Sequence, residues 1–537
     1  MDATAPANPY EDTYRQYLQS HQALQPCEAL VTQALQETQW EAPDTAQDYR
    51  NVAVVALVMA EDADDVQLRN LYLNMALEAL QASSDPISAA HRGLLGVELR
   101  EPKAAQQALS TLLTVAAMDA DGAAPGIVYL PPTRPPTLRG DLLQQLLQAE
   151  SAQQQALLLT VEILRRSPLV FYNNQGLRFL QLAVAHYPQV AQLQLQLGIA
   201  MLTHGRIEGM VNLHRAQALT PQNLRHSRAA VYQSLHLAYR PLSATQATYW
   251  QQQGLAVAQR DAQRDAQSNA QSNAQNDVQS NAAWQWTHRP PDAPITTVPF
   301  SGLTLAVEAN LRSIVTSVLL AEGTWFEAEL ALWQQHLEPG MVVIDVGANV
   351  GVYTFSAAVQ VGSEGQVFAV EPFEGCVRCL EETCRINGLD WVTVCGAAAS
   401  DRSGTAQLAL HGSSELNELV SEPPSGSSGG RATVVCMTLD SLVDDHGLER
   451  VDWIKIDAEG HELSVLKGAV SLLRRFKPRI LYENVAAGQG ANLEVSRWLQ
   501  QAGYQLYHYQ PFVAELAPVA ALEETQRSLN LVAMPIL

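Results

Sequence analysis

One stretch near the middle of the chain, an apolar run followed by a glycine-containing loop, constrains the fold more than any other. The run Met341–Ile344 leads into Asp345, and glycines follow at Gly347 and Gly351. An apolar run rich in β-branched residues is typical of a parallel strand buried on both faces. The glycines allow a tight turn, and the residues after them open a helix whose N-terminal amides face a ligand. The stretch therefore predicts a strand–loop–helix unit that cradles a nucleotide-like cofactor.

Two residues, Asn349 and Glu371, indicate which cofactor this unit holds. Gln366–Val370 is predicted as the next strand, and Glu371 follows it, 20 residues after Gly351. There an acidic side chain can accept hydrogen bonds from both ribose hydroxyls of a bound nucleoside. Asn349 replaces the middle glycine of G-x-G-x-x-G and would obstruct the close approach of a dinucleotide pyrophosphate. A cofactor without phosphates, such as S-adenosylmethionine, is therefore favoured.

A second motif brings acidic residues to the same edge of the predicted sheet. A buried strand ending at Ile456 delivers Asp457, and a later strand places Glu483 beside it. Ligands of open α/β sheets bind outside the carboxyl ends of the strands, so these carboxylates should face the crevice of the glycine loop. Asp457 is the first candidate for a base or a substrate-orienting carboxylate. The predicted catalytic residues are Asp457, Glu459, His461 and Glu483.

Other interpretations of the second motif stay open. Glu459 is also expected as a carboxylate stabilised by the dipole at a helix N-terminus, and His461 as a solvated residue of the first turn. Lys455, on a buried strand, is expected to pair with a carboxylate. Although no metal is assigned here, Asp457, Glu459 and Glu483 could instead gather a divalent cation.

The C-terminal motifs together resemble the FkbM family of S-adenosylmethionine-dependent methyltransferases. The motifs that carry the resemblance are Ile344–Gly351, Val370–Pro372, Thr438–Leu442, Ile454–Glu462 and Asn530–Ala533, with Glu322–Glu327 upstream. The resemblance spans about residues 300–537. It implies a methyltransferase of the EC 2.1.1 class that O-methylates a hydroxyl of a sugar, a glycan or a natural product.

Given S-adenosylmethionine as the cofactor, each part of it has expected partners. The backbone of Gly347–Gly351, with Asp345 and Asn349, should hold the methionine part. Glu371 should hold the ribose. Two residues after the third strand, Ser400 and Asp401, are expected near the adenine, although there the match to the family is loose.

The fold expected for residues 300–537 is the Rossmann-like sheet of class I methyltransferases, with about five parallel strands and a closing antiparallel pair. Two strands, Leu303–Val307 and Ile314–Leu320, are predicted before the glycine loop, followed by a helix over Trp325–Trp333. The closing pair is predicted from Tyr504–Tyr509 and Ser528–Met534.

The first half of the chain predicts helices. Residues 1–130 form a helical region whose apolar periodicity indicates buried helices over Asn51–Ala60 and Leu68–Leu80. Residues 139–256 resemble tetratricopeptide repeats. The pair Pro188-Gln189 recurs 33 residues later as Pro221-Gln222, and small residues such as Gly198 and Ala216 lie between the two copies. A generic array of helical hairpins is the alternative. Residues 257–299, with low complexity and several prolines, are predicted as a linker.

Composition restricts the partners and the compartment. A net charge of -22 without an offsetting basic patch argues against nucleic acid. No secretion signal is seen in the first residues, and the longest apolar stretch, Val52–Ala60, is too short to span a membrane. Six cysteines in 537 residues form no disulfide framework, and the group Cys376, Cys379 and Cys384 is expected in the core rather than on zinc. A cytoplasmic protein is expected.

Two other functions compete with methyl transfer. One is a scaffold in which the helical repeats bind partners and the sheet is inactive, and the other, less favoured, is an NAD-dependent oxidoreductase. If the domain is a methyltransferase, the helical half is expected to recruit a protein partner or a large substrate, and the hydroxyl-bearing acceptor stays unidentified.

Overall fold

The computed structural model describes residues 9–20, 28–83, 85–98, 102–116, 127–131, 136–166, 174–222, 224–268, 283–420, 430–484, 492–512 and 514–536. The chain divides into two compact units, residues 1–188 with 510–515, and residues 189–509 with 516–537. Among the described residues, no helix is long and apolar enough to cross a bilayer.

The regular structure of residues 9–186, in the first unit, is helical in its described part. Its helices are α1 (Pro9–Ser20), α2 (Glu28–Glu37), α3 (Ala46–Asp62), α4 (Val66–Ala82), α5 (Pro86–Glu98), α6 (Pro102–Ala116), α7 (Pro136–Leu147), α8 (Ala152–Arg166) and α9 (Asn174–His186). The two helices predicted from periodicity are confirmed as α3 and α4. Only one apolar stripe of α4 is buried, with Leu73 and Leu80, whereas Leu68 and Leu71 are exposed.

The second unit begins with four helices that lie in the same compact unit as the sheets. They are α10 (Ala191–Thr203), α11 (Gly209–Leu219), α12 (Arg225–Tyr239) and α13 (Ala244–Ser268). The hairpin of α10 and α11 is closely packed, because a Cβ at Gly198 would come within 2.9 Å of the Gly209 carbonyl oxygen. The absence of a side chain at this glycine therefore allows the two helices to approach closely.

The remaining helices and strands of the second unit follow in chain order. The helices are α14 (Ile314–Glu322), α15 (Glu329–His336), α16 (Val352–Val361), α17 (Glu374–Asn387), α18 (Leu439–Asp445), α19 (Glu462–Lys467), α20 (Val470–Phe476) and α21 (Leu493–Gln501). The strands are β1 (Ile295–Phe300), β2 (Leu303–Glu308), β3 (Val342–Val346), β4 (Gln366–Val370), β5 (Val392–Cys395), β6 (Ala398–Ala399), β7 (Gly404–Ala409), β8 (Glu418–Val420), β9 (Arg431–Met437), β10 (Trp453–Ile456), β11 (Arg479–Glu483), β12 (Tyr504–Gln510), β13 (Glu515–Pro518) and β14 (Asn530–Pro535).

The main sheet has eight strands in the order β13-β12-β14-β11-β10-β3-β4-β5. The five strands from β11 to β5 run parallel, and β14 pairs antiparallel with both β11 and β12. Five parallel strands and an antiparallel closing pair are therefore present. A smaller sheet has the order β6-β9-β7-β8, and residues 421–429, between β8 and β9, lie outside the described residues.

The segment Ile314–Leu320, predicted as a strand, is helix α14 in the structure, and the prediction was wrong. Every residue from Ile314 to Ala321 is buried, so the sequence shows no helical periodicity. The ends decide the structure instead. Ser313 caps the helix by accepting a hydrogen bond from the Thr316 N–H, and Gly323 ends it in the left-handed conformation with φ of 70°.

The predicted linker, residues 257–299, contains regular structure. Helix α13 extends to Ser268, and β1 begins at Ile295. Residues 269–282 lie outside the described residues, but Trp284 and Trp286 on their far side pack in one cluster with Val257. Both ends of the low-complexity tract therefore belong to the same compact unit.

Candidate active site

The strand register brings the two sequence motifs to one edge of the main sheet. Four neighbouring residues, Tyr482, Ile456, Val346 and Val370, pair across β11, β10, β3 and β4. The next residues along these strands are Glu483, Asp457, Gly347 and Glu371. Since parallel strands end on the same side, these four residues form one row at the carboxyl edge of the sheet.

The glycine loop lies directly against the second motif. Gly347 has φ of 72°, and its N–H donates to the Val370 carbonyl oxygen over 2.9 Å. A Cβ at this position would overlap the carbonyl oxygen of Asp457. Gly351, with φ of 97°, precedes α16, and a Cβ there would overlap the Phe355 ring. Both glycines are therefore required by left-handed backbone and by close packing.

Glu371 is bound to the loop through its carboxylate. Its Oε2 accepts a hydrogen bond from the Asn349 N–H over 2.9 Å, and its Oε1 accepts one from the Phe373 N–H over 2.8 Å. Asn349 itself has φ of 49°, and its Oδ1 accepts from the Val350 N–H. Burial raises the pKa of Glu371 to about 7, against the effect of its two backbone hydrogen bonds.

Asp345 is fully buried at the carboxyl end of β3. Its Oδ2 accepts a hydrogen bond from the Thr354 hydroxyl over 2.6 Å, whereas its Oδ1 has no partner among the described residues. Burial raises the pKa of Asp345, and the nearby Lys455 opposes that rise. An unpartnered oxygen of a buried carboxylate is free to accept a hydrogen bond from a ligand.

Lys455 partly neutralises the negative charge of the carboxylates around it. It is buried, its Nζ lies 2.8 Å from Asp457 Oδ2, and it stands over the Tyr353 ring at 4.6 Å from the centroid. Burial lowers the pKa of Lys455, but the negative charges of Asp457, Asp345 and Glu327 together outweigh it, and the pKa is raised. The expected pairing of this lysine with a carboxylate is confirmed.

Three predicted catalytic residues form one cluster. Carboxylate oxygens of Asp457, Glu459 and Glu483 lie within 4.8 Å of one another. Burial, with the negative charge of Asp457 next, raises the pKa of Glu459 to about 8 and that of Glu483 to about 11. Like charges at this distance favour protonation, so near neutral pH the cluster holds protons unless a cation binds there.

The fourth predicted catalytic residue, His461, lies beside two residues predicted to bind the cofactor, Ser400 and Asp401. The Nε2 of His461 lies 3.0 Å from the Ser400 hydroxyl, and that hydroxyl lies 3.3 Å from Asp401 Oδ1. Ser400 is buried and Asp401 is exposed. Burial lowers the pKa of His461, and its charged neighbours are Asp401 and Arg402 rather than the carboxylate cluster. The structure therefore places His461 beside Ser400, one of the residues predicted to lie near the adenine.

Glu327 also lies in the crevice, although it was not among the site residues predicted from the sequence. Its Oε2 accepts a hydrogen bond from the Tyr353 hydroxyl over 2.6 Å and one from Asn530 Nδ2 over 3.4 Å. Burial raises its pKa to about 7, while Lys455 lowers it. Its motif, Glu322–Glu327, was visible in the sequence, but only the fold shows that it faces Tyr353 and Asn530.

Two of the three cysteines of α17 are core residues, whereas Cys384, also expected in the core, is partly exposed. Cys376 and Cys379 are buried free thiols, and burial raises the pKa of Cys379 to about 12. A thiol that stays protonated is a poor zinc ligand. Among the described residues, the carboxylate cluster is the group whose geometry suits a metal ion.

Comparison with known proteins supports a methyltransferase domain in the C-terminal part. Residues 345–506 match the model of the family described as the methyltransferase FkbM domain. The chain is similar to the methyltransferase sdnD of Sordaria araneosa, at 30% identity over 24% of this chain and 59% of the relative. It is also similar to the hexuronic acid methyltransferase AglP of Haloferax volcanii, at 28% identity over 27% of this chain and 56% of the relative.

The chain thus spans a little over half the length of the curated relatives that it matches. Among solved structures, the FkbM methyltransferase from Methylobacillus flagellatus is similar at 17% identity with a TM-score of 0.25, over 41% of this chain and 54% of that one.

Proposed function

We propose that the second unit is an S-adenosylmethionine-dependent O-methyltransferase whose sheet is that of the class I enzymes. The observation that carries the proposal is the packing of Gly347 against the Asp457 carbonyl oxygen, which sets a cofactor loop beside a carboxylate cluster. The match of residues 345–506 to the FkbM domain supports the same chemistry. The acceptor is a hydroxyl of a sugar, a glycan or a natural product, as the relative named for hexuronic acid suggests.

The residues around the glycine loop fit this cofactor. Asp345 Oδ1 has no partner among the described residues and can accept a hydrogen bond from the methionine part, together with the backbone of Gly347–Gly351 and with Asn349. Glu371 would accept from the ribose, and Ser400 with Asp401 would contact the adenine. When bound, S-adenosylmethionine supplies an electrophilic methyl group on its sulfonium sulfur.

Asp457 acts as the base in this proposal. Its Oδ2 is held by Lys455 at 2.8 Å, so the carboxylate has a fixed position from which Oδ1 can take the proton of the acceptor hydroxyl. Glu459 and Glu483 would orient the acceptor by hydrogen bonds, and the protonated carboxyl of Glu483 can donate one. His461 would act from the Ser400 side of the crevice. Holding the oxygen in line with the methyl group supplies much of the rate.

A metal-assisted variant is the second candidate, and the approach of Asp457, Glu459 and Glu483 within 4.8 Å favours it. A divalent cation on these oxygens would bind the acceptor hydroxyl and favour its ionisation. Activity that survives exhaustive chelation would exclude this variant, whereas activity that is lost and then restored by Mg²⁺ or Mn²⁺ would favour it over the direct base.

The helical part of the chain is proposed to recruit the acceptor or a protein partner through tetratricopeptide-like hairpins. Exposed apolar side chains on and beside α11 support this, since Ile207 and Val211 are each 54% exposed. We also propose a cytoplasmic location, which the free thiols of the described cysteines support.

A thermal-shift titration tests the cofactor, and a labelled-cofactor screen tests the reaction. The proposal expects S-adenosylmethionine to stabilise the protein and NAD to leave it unchanged. Stabilisation by NAD alone would favour an oxidoreductase, and stabilisation by neither would favour an inactive scaffold. With radiolabelled S-adenosylmethionine, transfer of label to uronic acids, other sugars or cell-extract glycans identifies the acceptor.

A further inference from the structure

The loop between β10 and α19 holds two carboxylates in an unusual backbone conformation. Glu459 has φ of 49° and Gly460 has φ of 93°, so two successive residues are left-handed. A side chain with a Cβ disfavours this region, and a glutamate adopts it only where neighbouring contacts hold it. The position of the Glu459 carboxylate therefore depends on groups outside its own residue.

Glu462 supplies contacts that hold this loop. Its side chain is fully buried, and its Oε1 accepts hydrogen bonds from the Ala458 N–H over 3.1 Å and from the Gly460 N–H over 2.9 Å. These amides belong to the peptide groups that follow Asp457 and Glu459. One carboxylate oxygen thus fixes the backbone directly after each of the two acidic residues.

The second oxygen of Glu462 connects this loop to the end of the neighbouring strand. Its Oε2 accepts a hydrogen bond from Asn492 Nδ2 over 3.2 Å, and the Asn492 N–H donates to the Asn484 carbonyl oxygen over 2.6 Å. Asn484 directly follows Glu483. Glu462 therefore bridges the segment that carries Asp457 and the segment that carries Glu483.

We propose that Glu462 is a positioning residue that sets the spacing of Asp457, Glu459 and Glu483. It does so by accepting hydrogen bonds from the loop after β10 and from Asn492, which is bound to the residue after Glu483. It has no exposed surface with which to touch an acceptor, and both of its oxygens are engaged. The proposal deepens, and rests on, the methyltransferase function proposed for the same crevice.

Hydrogen exchange measured by mass spectrometry on the full chain tests this role. In Glu462→Ala the amides of Ala458 and Gly460 should exchange roughly tenfold faster or more, the factor expected for loss of a hydrogen bond. In Glu462→Gln an amide oxygen still accepts both bonds, so protection should return to near the unsubstituted level. Glu494→Gln, at an exposed glutamate two residues after Asn492, is the matched control and should change nothing.

Function is followed in the same variants by calorimetry with S-adenosylmethionine and by turnover of the acceptor from the labelled-cofactor screen. Turnover should fall roughly 100-fold in Glu462→Ala with unchanged cofactor affinity, since small misplacements of reacting groups have effects of this size. Glu462→Gln keeps the two loop hydrogen bonds but turns an amide nitrogen toward Asn492 Nδ2, so it should restore only part of the turnover. If Glu462→Ala does not fold, Asn492→Ser keeps a helix-capping oxygen, removes the bridge alone and should still lower turnover.

The proposal is overturned if Glu462→Ala, or Asn492→Ser in its place, turns over at the unsubstituted rate. It is also overturned if Glu462→Gln fails to restore the exchange protection of the Ala458 and Gly460 amides, or if Glu462→Ala loses affinity for S-adenosylmethionine together with turnover. Failure of the proposed function looks different. In that case the unsubstituted protein itself does not bind S-adenosylmethionine, while the exchange rates still report whether Glu462 holds the loop.

Discussion

At the scale of single residues, the crevice depends on one buried cation among acidic groups. Lys455 lies 2.8 Å from Asp457, and its charge also acts on the fully buried Asp345 and on Glu327. A buried carboxylate without a partner is strongly unfavourable, and removing one member of a buried pair leaves the other uncompensated. Lys455 is thus required for these carboxylates to share one site.

Lys455→Met should therefore destabilise the second unit by about 3–5 kcal/mol, the range for breaking a buried ion pair. Urea denaturation followed by tryptophan fluorescence measures the free energy of unfolding. Lys467→Met, at an exposed lysine of α19, is the control and should lie within roughly 0.5 kcal/mol of the unsubstituted protein. Equal stability of the two variants would contradict the role given to Lys455.

Asp457→Asn tests the base directly, because the amide keeps the shape of the side chain and cannot take the proton. Turnover should fall by roughly 10²–10⁴-fold, the usual contribution of a general base, while calorimetry should show unchanged affinity for S-adenosylmethionine. An Asp457→Asn enzyme that turns over normally would end the assignment.

Glu371 predicts a pH dependence of stability. Its pKa is raised by burial to about 7 in the folded state, so the folded protein binds this proton more tightly than the unfolded chain does. The resulting stabilisation is fully present below the ordinary pKa of a glutamate and is lost as the pH rises through about 7. Glu371→Gln should remove up to roughly 3 kcal/mol of this dependence, measured as unfolding free energies at pH 5 and pH 8. An unchanged slope in the variant would contradict the buried, raised pKa.

At the scale of elements, close packing of strand ends creates the crevice. The turn after β3 lies on the turn after β10, and there is no room for a Cβ at Gly347. Gly347→Ala should therefore separate the cofactor loop from the carboxylate cluster and abolish binding of S-adenosylmethionine in calorimetry. Gly412→Ala, where a Cβ meets no atom within 4 Å, should bind the cofactor normally. Normal binding by Gly347→Ala would show that the loop does not need this contact.

Some of these elements could be predicted from the sequence and others could not. Strand ends are predictable, because an apolar run that meets Gly or an acidic residue marks both the end of the strand and the edge where ligands bind. The grouping of Asp457 with Glu483 followed from that rule. Helix α14 could not be predicted in this way. A short run that is buried on every side has no periodicity to distinguish a helix from a strand.

Contacts between segments distant in sequence were also beyond sequence reasoning. Glu327 meets Tyr353 and Asn530, which lies 203 positions away, and Ser400 meets His461 across 61 positions. No local pattern encodes such pairs, because register and loop path decide them. Glu462 belonged to a motif that the sequence displayed, yet its role as a hydrogen-bond acceptor appears only when its two partner segments are in place.

At the scale of the whole molecule, helices α10–α13 are part of the unit that carries the sheets. Gln196 Nε2 donates to Glu322 Oε1 over 2.6 Å, Gln192 donates to the Ala321 carbonyl oxygen, and Gln233 donates to Thr296 on β1. Thr296 and Ala321 are buried, so each would lose its hydrogen-bond donor if the helices were removed.

A fragment of residues 189–537 should therefore fold and bind S-adenosylmethionine, whereas one of residues 300–537, which lacks α10–α13 and β1, should aggregate or melt at a lower temperature. Circular dichroism melting and calorimetry of both fragments measure this. Full stability and cofactor affinity in the shorter fragment would show that the predicted boundary at residue 300 is the limit of the folding unit.

The most direct test of the central claim is a calorimetric titration of the full chain and of Glu371→Ala with S-adenosylmethionine. We expect one site on the unsubstituted protein and a loss of at least roughly tenfold in affinity in the variant, as expected for two lost hydrogen bonds to the ribose. Equal affinity of the two proteins would contradict the position given to the cofactor, and the absence of binding to the unsubstituted protein would contradict the methyltransferase itself.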